Sequence, residues 1–173
     1  MAAGDIRLTP TSYVVLGLIE AMGAATPYDL KAAARRGVSN LWALPHTQLY
    51  TESARLAEEG LLSERREDGG RRRRTYRLTA AGRRQLEAWR LDDAPPSWEL
   101  RDAGLLKLFF GADPAALAPE QVEAHEERLA EYERLHAAGE GLPEGMRLAL
   151  ASGIGHEREY LRFWRAIAAG DTP

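Results

Sequence analysis

Between Leu44 and Leu78 the chain passes from a helical pattern straight into two short charged segments joined by a glycine turn, and few folds accept that order. Leu44-Pro45-His46-Thr47-Gln48-Leu49-Tyr50 opens the helix, Gly60 closes it, and Leu61-Leu62 opens the first segment. Asp68-Gly69-Gly70 makes the turn, because glycine takes the positive φ that tight hairpins demand. Four consecutive arginines, Arg71 to Arg74, then lead into Thr75-Tyr76-Arg77-Leu78. A hairpin carrying this much positive charge is a poor candidate for a core and a good one for meeting a polyanion. With a helix before it, it matches the way a winged helix–turn–helix offers a recognition helix and a basic wing to DNA. The competing explanation is a solvated charged loop. Arginine is so abundant here, with lysine only at Lys31 and Lys107, that short runs of it arise more easily.

The flanking segments complete such a domain. Thr9-Pro10 reads as an N-cap with proline at the first helical position, and Val15, Leu18, Ile19 and Met22 form the apolar stripe up to Gly23. Thr26 and Asp29 have capping-box spacing for a second helix with Leu30, Ala33 and Ala34 inward. The third helix spans about Pro45 to Glu59, with Leu49, Leu56 and Ala57 inward. Thr79 caps a fourth helix carrying Leu86 and Trp89. Residues 1–92 therefore read as a winged-helix domain. Residues 93–97, with Pro95-Pro96, read as a linker, because a double proline stops a helix.

Charge separates the two sides of that linker. Residues 1–92 hold 15 Lys and Arg against 11 Asp and Glu, whereas residues 93–173 hold 8 against 15. The overall charge of −3 thus hides a basic half suited to phosphates and an acidic half suited to something else. Residues 98–173 show three helical patterns. Trp98 to Phe110 is apolar on most sides and should be buried. Pro119 to Ala138 places Val122, His125, Leu129, Tyr132 and His136 at alternating spacings of 3 and 4, like a short coiled-coil seam. Met146 to Ala169 ends in Tyr160, Leu161, Phe163, Trp164 and Ile167. So much apolar surface on so few helices implies a second chain, with Leu105, Phe109, Leu129, Tyr132 and Trp164 joining the subunits of a homodimer. The expected fold is mainly α: an N-terminal winged helix–turn–helix with a two-stranded wing, then a helical dimerisation domain.

Within this layout the ordered fragments resemble the PadR family of bacterial transcriptional regulators. Trp42 precedes Pro45-His46-Thr47-Gln48-Leu49-Tyr50; Leu56-Ala57-Glu58-Glu59-Gly60-Leu61-Leu62 follows; then come Arg72-Arg73-Arg74-Thr75-Tyr76-Arg77-Leu78-Thr79-Ala80-Ala81-Gly82. Leu100-Arg101-Asp102, Leu105 to Phe110 and Trp164 resemble the longer helical C-terminal domain of one subgroup. The resemblance covers about residues 11–168. It implies a homodimeric regulator, usually a repressor, and in some members a response to small aromatic or amphipathic compounds. Ser53 departs from the pattern where an apolar residue is usual, and so does Gly104, where a larger side chain is commoner.

The candidate contacts follow. His46, Thr47 and Gln48 fall in the first turn of the third helix, the end that enters the major groove, and Gln can pair bidentately with adenine. They could also merely cap or solvate that turn. The resemblance gives Tyr50 a role at the DNA backbone, while a half-buried aromatic is compatible with it. Arg71, Arg72, Arg73 and Arg74 alternate along a strand, so about half can face phosphates or the minor groove. Trp89 and Trp98 are candidates for an aromatic effector slot, with Trp98 as a gate.

No catalytic set emerges. His46, His125, His136 and His156 are scattered, His156-Glu157-Arg158-Glu159 lacks a zincin's second histidine, and cysteine is absent. No enzyme activity, cofactor or metal is expected. His125 and His136 could share a face as a metal or proton sensor, or simply bond a neighbouring Glu. The N-terminus lacks the regions of a signal peptide and no apolar run nears the roughly 20 residues of a membrane span, so a cytoplasmic, nucleoid-associated protein is expected. The expected partners are an operator duplex, a second copy and a small effector. A protein–protein adaptor built on a winged helix is the alternative, although it would not need the arginine cluster.

Overall fold

Capping side chains mark the starts of most of the described helices. The computed structural model describes residues 6–35, 37–38, 42, 45–66, 73–93, 101–139 and 141–172. They form seven helices and one hairpin, divided between two compact units, Met1–Pro95 and Pro96–Pro173.

In the first unit α1 (Pro10–Met22) opens on a full capping box: Thr9 Oγ1 accepts from Ser12 N–H, and Ser12 Oγ accepts from Thr9 N–H at 2.8 Å. α2 (Pro27–Arg35) repeats it, with Asp29 Oδ2 accepting from the Thr26 N–H at 2.9 Å and from the Thr26 hydroxyl at 2.7 Å. α3 (His46–Glu58) follows, then β1 (Leu62–Arg66) and β2 (Arg74–Leu78), an antiparallel pair registered from Leu62↔Leu78 to Arg66↔Arg74. α4 (Ala80–Arg90) is capped by Thr79. Val15, Leu16, Ile19, Leu30, Leu49 and Leu56 lie at the centre of one continuous core that also takes in the hairpin's Leu62, Tyr76 and Leu78. Met22, assigned to the α1 stripe, is 39% exposed because it lies in the last turn, beyond that core. Ser53 is fully buried and its hydroxyl donates to the Leu49 carbonyl at 2.7 Å, so the polar atom is satisfied within its own helix.

Two connections fix the hairpin's base. Ala25 bridges Tyr76, each N–H meeting the other's carbonyl at 3.0 and 2.9 Å. The Thr79 N–H donates to Leu61 O at 3.1 Å, and the Thr79 hydroxyl lies 2.8 Å from Gly60 O. Gly82 then packs so closely that a Cβ there would stand 2.2 Å from Leu61 O. The hairpin is clasped at its root between residues 60–61 and 79–82.

The second unit is a long helical hairpin with one short helix against it. α5 (Ala103–Phe109) is capped by Asp102, whose Oδ1 accepts from Leu105 N–H at 2.8 Å. α6 (Pro114–Ala137) and α7 (Glu144–Ala169) run antiparallel: Glu126 meets Arg165 at 2.7 Å and Glu133 meets Arg158 at 2.8 Å. Three expectations need correction here. α6 starts at Pro114, not Pro119, because Asp113 caps it through the Ala115 N–H, and Pro119 sits in its second turn. The segment ending at Phe110 is not buried as a whole: Leu106, Phe109 and Phe110 are 58%, 82% and 78% exposed. A helix of seven residues offers the α6–α7 hairpin only one face, through Gly104, Leu105 and Leu108. Gly104 is no mere interruption either, since a Cβ there would meet the Gln121 amide and lie 3.1 Å from the Trp164 ring. Third, Tyr132 and Trp164, assigned to the subunit seam, are buried inside their own chain, Tyr132 over Gly153 and Trp164 in the cluster with Leu117 and Ala118. Among the described residues no helix is long and apolar enough to cross a membrane.

Candidate nucleic-acid interface

Helical periodicity sorts α3 into two faces. Leu49, Ser53 and Leu56 enter the core, so Thr47, Gln48 and Tyr50 turn outward, Tyr50 being 46% exposed. His46 begins the helix, but its side chain lies outside the described part of the structure. Thr51 is exposed as well, its hydroxyl back-bonded to Thr47 O and Gln48 O, and the sequence reading passed it over. Its spacing of four and three from Thr47 and Gln48 is the signal that would have found it.

A polar triad locks this helix to α1. The Ser12 hydroxyl donates to Glu52 Oε1 at 2.5 Å, and Arg55 Nη2 donates to the same oxygen at 2.6 Å and to Ser12 Oγ at 3.2 Å. The Arg55 hydrogen bonds, helped by Ser12 and opposed by burial, hold the Glu52 carboxyl below its ordinary range. Glu52 is thus ionised at neutral pH and fixes the roll of α3 about its axis.

The hairpin also has two faces. Leu62, Glu64 and Arg66 of β1 stand opposite Leu78, Tyr76 and Arg74 of β2. Ser63 and Arg65 stand opposite Arg77 and Thr75 on the other face. Arg65, Arg66, Arg73, Arg74 and Arg77 are all exposed. The wing's cations therefore extend beyond the arginine run, along both strands. Arg73 lies 3.7 Å from Asp29 at the start of α2, and Arg74 lies 3.7 Å from Glu64. Arg71, Arg72 and the Gly69-Gly70 turn lie outside the described residues. The Thr26 backbone and hydroxyl bonds, with the Arg73 charge in a lesser role, hold the Asp29 carboxyl below its ordinary range.

Trp89 stacks flat on Tyr13, with ring centroids 4.5 Å apart, and is 47% exposed; Trp98 lies outside the described residues. Leu105 and Leu129 are half-buried, while Phe109 is exposed. His125 is buried with its Nδ1 2.5 Å from Glu157 Oε2, and Arg128 reaches that carboxylate at 3.4 Å, whereas His136 is exposed. The two histidines therefore have separate surroundings. Among the described residues no three His, Cys, Asp or Glu side chains are grouped to hold a metal.

A helix with a polar outward face, locked against a bundle and followed by a two-stranded arginine-bearing wing, defines a winged-helix DNA-binding protein. Residues 15–88 match the model of the transcriptional regulator PadR-like family. It is 25% identical to the negative transcriptional regulator PadR of Bacillus subtilis (strain 168), over 91% of this chain and 94% of that one. It also superposes on the Bacillus subtilis PadR structure in complex with operator DNA, with a TM-score of 0.79, 22% identity, and 95% and 99% of the two chains covered. Against the same protein in complex with p-coumaric acid the TM-score is 0.70, with 22% identity and coverage of 95% and 98%.

Proposed function

We propose that this chain is a homodimeric, sequence-specific repressor released from its operator by a small aromatic compound. The observation carrying the reading is that Thr47, Gln48 and Tyr50 are the residues of early α3 left outside the core, in the unit that also bears the exposed wing arginines. In this reading the first turn, with His46, Thr47 and Gln48, enters the major groove, and Gln48 reads a base edge. Tyr50 and the arginines from Arg71 to Arg74 hold the backbone, fixing register without carrying sequence information. The acidic second unit joins two such readers so that both half-sites are engaged together, in a cytoplasmic protein with no catalytic role of its own.

The relative's complexes supply the chemistry for the ligands. Bacillus subtilis PadR has been crystallised with operator DNA and with p-coumaric acid, a flat aromatic acid, and a ligand of that class is proposed here. Trp89 and Trp98 are the side chains proposed to meet it. The test is a mobility shift on the intergenic DNA beside the protein's own gene, with and without p-coumarate. A discrete complex that resists excess random duplex and dissolves on adding the acid is the expected result. Equal affinity for intergenic and random DNA would sink sequence-specific repression.

A further inference from the structure

Arg66 and Arg74 are directly opposite each other across the two strands, and like charges in that position repel. Glu64 stands two residues from Arg66 on the same face and meets both. It accepts a hydrogen bond from Arg66 Nε, and the same oxygen, Oε1, lies 3.7 Å from Arg74 Nε. Its other oxygen accepts from the Tyr76 hydroxyl at 3.1 Å. Tyr76 is rigid: it is 1% exposed, its ring sits in the core, and its backbone is bridged to Ala25. The Glu64 side chain is 17% exposed, while Arg66 and Arg74 are 64% and 47% exposed. Fixed core, buried hydroxyl, shielded carboxylate and two exposed guanidiniums thus form a chain from the interior to the surface.

We propose that Glu64 is a positioning residue for DNA binding, holding Arg66 and Arg74 side by side as a clamp for one backbone phosphate. The proposal rests on the reading of the wing as a DNA contact. Each guanidinium meets the carboxylate through Nε, Arg74 also bonds the Tyr76 side chain, and both guanidiniums remain exposed, as the planar donor fork that suits phosphate requires. The clamp extends the wing's contacts to β1, outside the arginine run. Two effects of Glu64 oppose each other. Its negative charge repels an approaching phosphate, and its hydrogen bond to Arg66 and ion pair with Arg74 hold two otherwise repelling cations in one place. The second should win, because the carboxylate is already neutralised at contact distance by Arg66, and its pKa is lowered first of all by that hydrogen bond.

The two effects predict opposite signs for Glu64→Gln, measured by fluorescence anisotropy on a labelled random-sequence duplex across a salt series. The clamp predicts binding about tenfold weaker, the equivalent of one charge-assisted hydrogen bond. It also predicts a salt slope shallower by about 0.9, one neutralised phosphate. Tyr76→Phe, which keeps the ring and removes the hydroxyl, should move both readings the same way by less. In an Arg66→Ala, Arg74→Ala background, Glu64→Gln should cause no further loss. Tighter or unchanged binding by Glu64→Gln overturns the clamp while leaving the DNA-binding reading intact. Weaker binding with an unchanged slope overturns it as well, since that is what a purely structural role would give. A parent protein that binds no duplex removes both.

Discussion

The two units dispose of their apolar side chains in opposite ways. In the first, thirteen buried apolar residues from four helices, the hairpin and the adjoining turns form one cluster. In the second, the corresponding cluster has three buried members, Leu117, Ala118 and Trp164, while Leu106, Phe109, Phe110, Met146 and Leu148 are each more than half exposed. The first unit covers most of its own apolar faces, though Tyr28 and Leu91 stay exposed. The second buries α6 against α7 and one face of α5 against both, and a second copy is the proposed cover for the remainder. An apolar stripe in a sequence thus says that a face will be covered, but not by which chain.

The strongest way to break that contrast is to empty each core. Trp164→Ala should cost about 3–5 kcal/mol and Leu56→Ala about 2–5 kcal/mol, each by cavity formation. Calorimetry should show each loss in the unit that carries the substitution. One shared transition moved equally by both would end the idea of separate cores. Trp164→Phe should cost much less than Ala, because among the described residues the buried indole Nε1 has no hydrogen-bond partner and its removal offsets part of the lost packing.

The second contrast lies at the surface. Phe109→Ser combined with Phe110→Ser should convert a dimer into a monomer by light scattering at micromolar concentration, though both side chains are exposed in the single chain. A parent protein that is itself monomeric would show that the exposed face has no second copy on it. Gln48→Ala tests the other unit's surface, with an expected loss of about 1–3 kcal/mol on the operator and much less on random DNA. Equal losses on both would show that Gln48 does not read bases.

The smallest effect concerns Asp29. Its folded pKa is depressed, so its contribution to stability is fully present above the unfolded carboxylate range and fades as pH falls through the folded value. Asp29→Asn should therefore lower the unfolding midpoint at pH 7 and differ little from the parent at the acid end. A gap that persists there would mean that the amide fails the capping geometry for reasons other than charge.

What the sequence made legible follows the range of the interactions concerned. Thr9, Thr26 and Thr79 announced their helices correctly because a cap bonds within three residues. The start of α6 went wrong because two prolines compete, and only Asp113 decides for Pro114. The fate of Tyr132 and Trp164 was illegible for a different reason: their spacing fits a seam between chains as well as one within a chain. Of the candidate interface, the outward face of α3 could be read from periodicity. The roles of Glu64 and Arg66 could not, since they depend on strand register, which is set by Leu62 facing Leu78.

The clasp at the root of the hairpin has a consequence for how such proteins diverge. Gly82 admits no side chain, and Thr79 ties the end of β2 to Gly60 and Leu61, so the chain enters and leaves the hairpin at fixed points. Length changes between Arg66 and Arg74 leave those ties, and the core positions of Leu62, Tyr76 and Leu78, in place. The wing is in effect a cassette. Evolution, or a designer, can lengthen, shorten or recharge it to suit a new operator while the scaffold remains as it is. A random insertion library should accordingly tolerate added residues between the strands and reject them at 79–82.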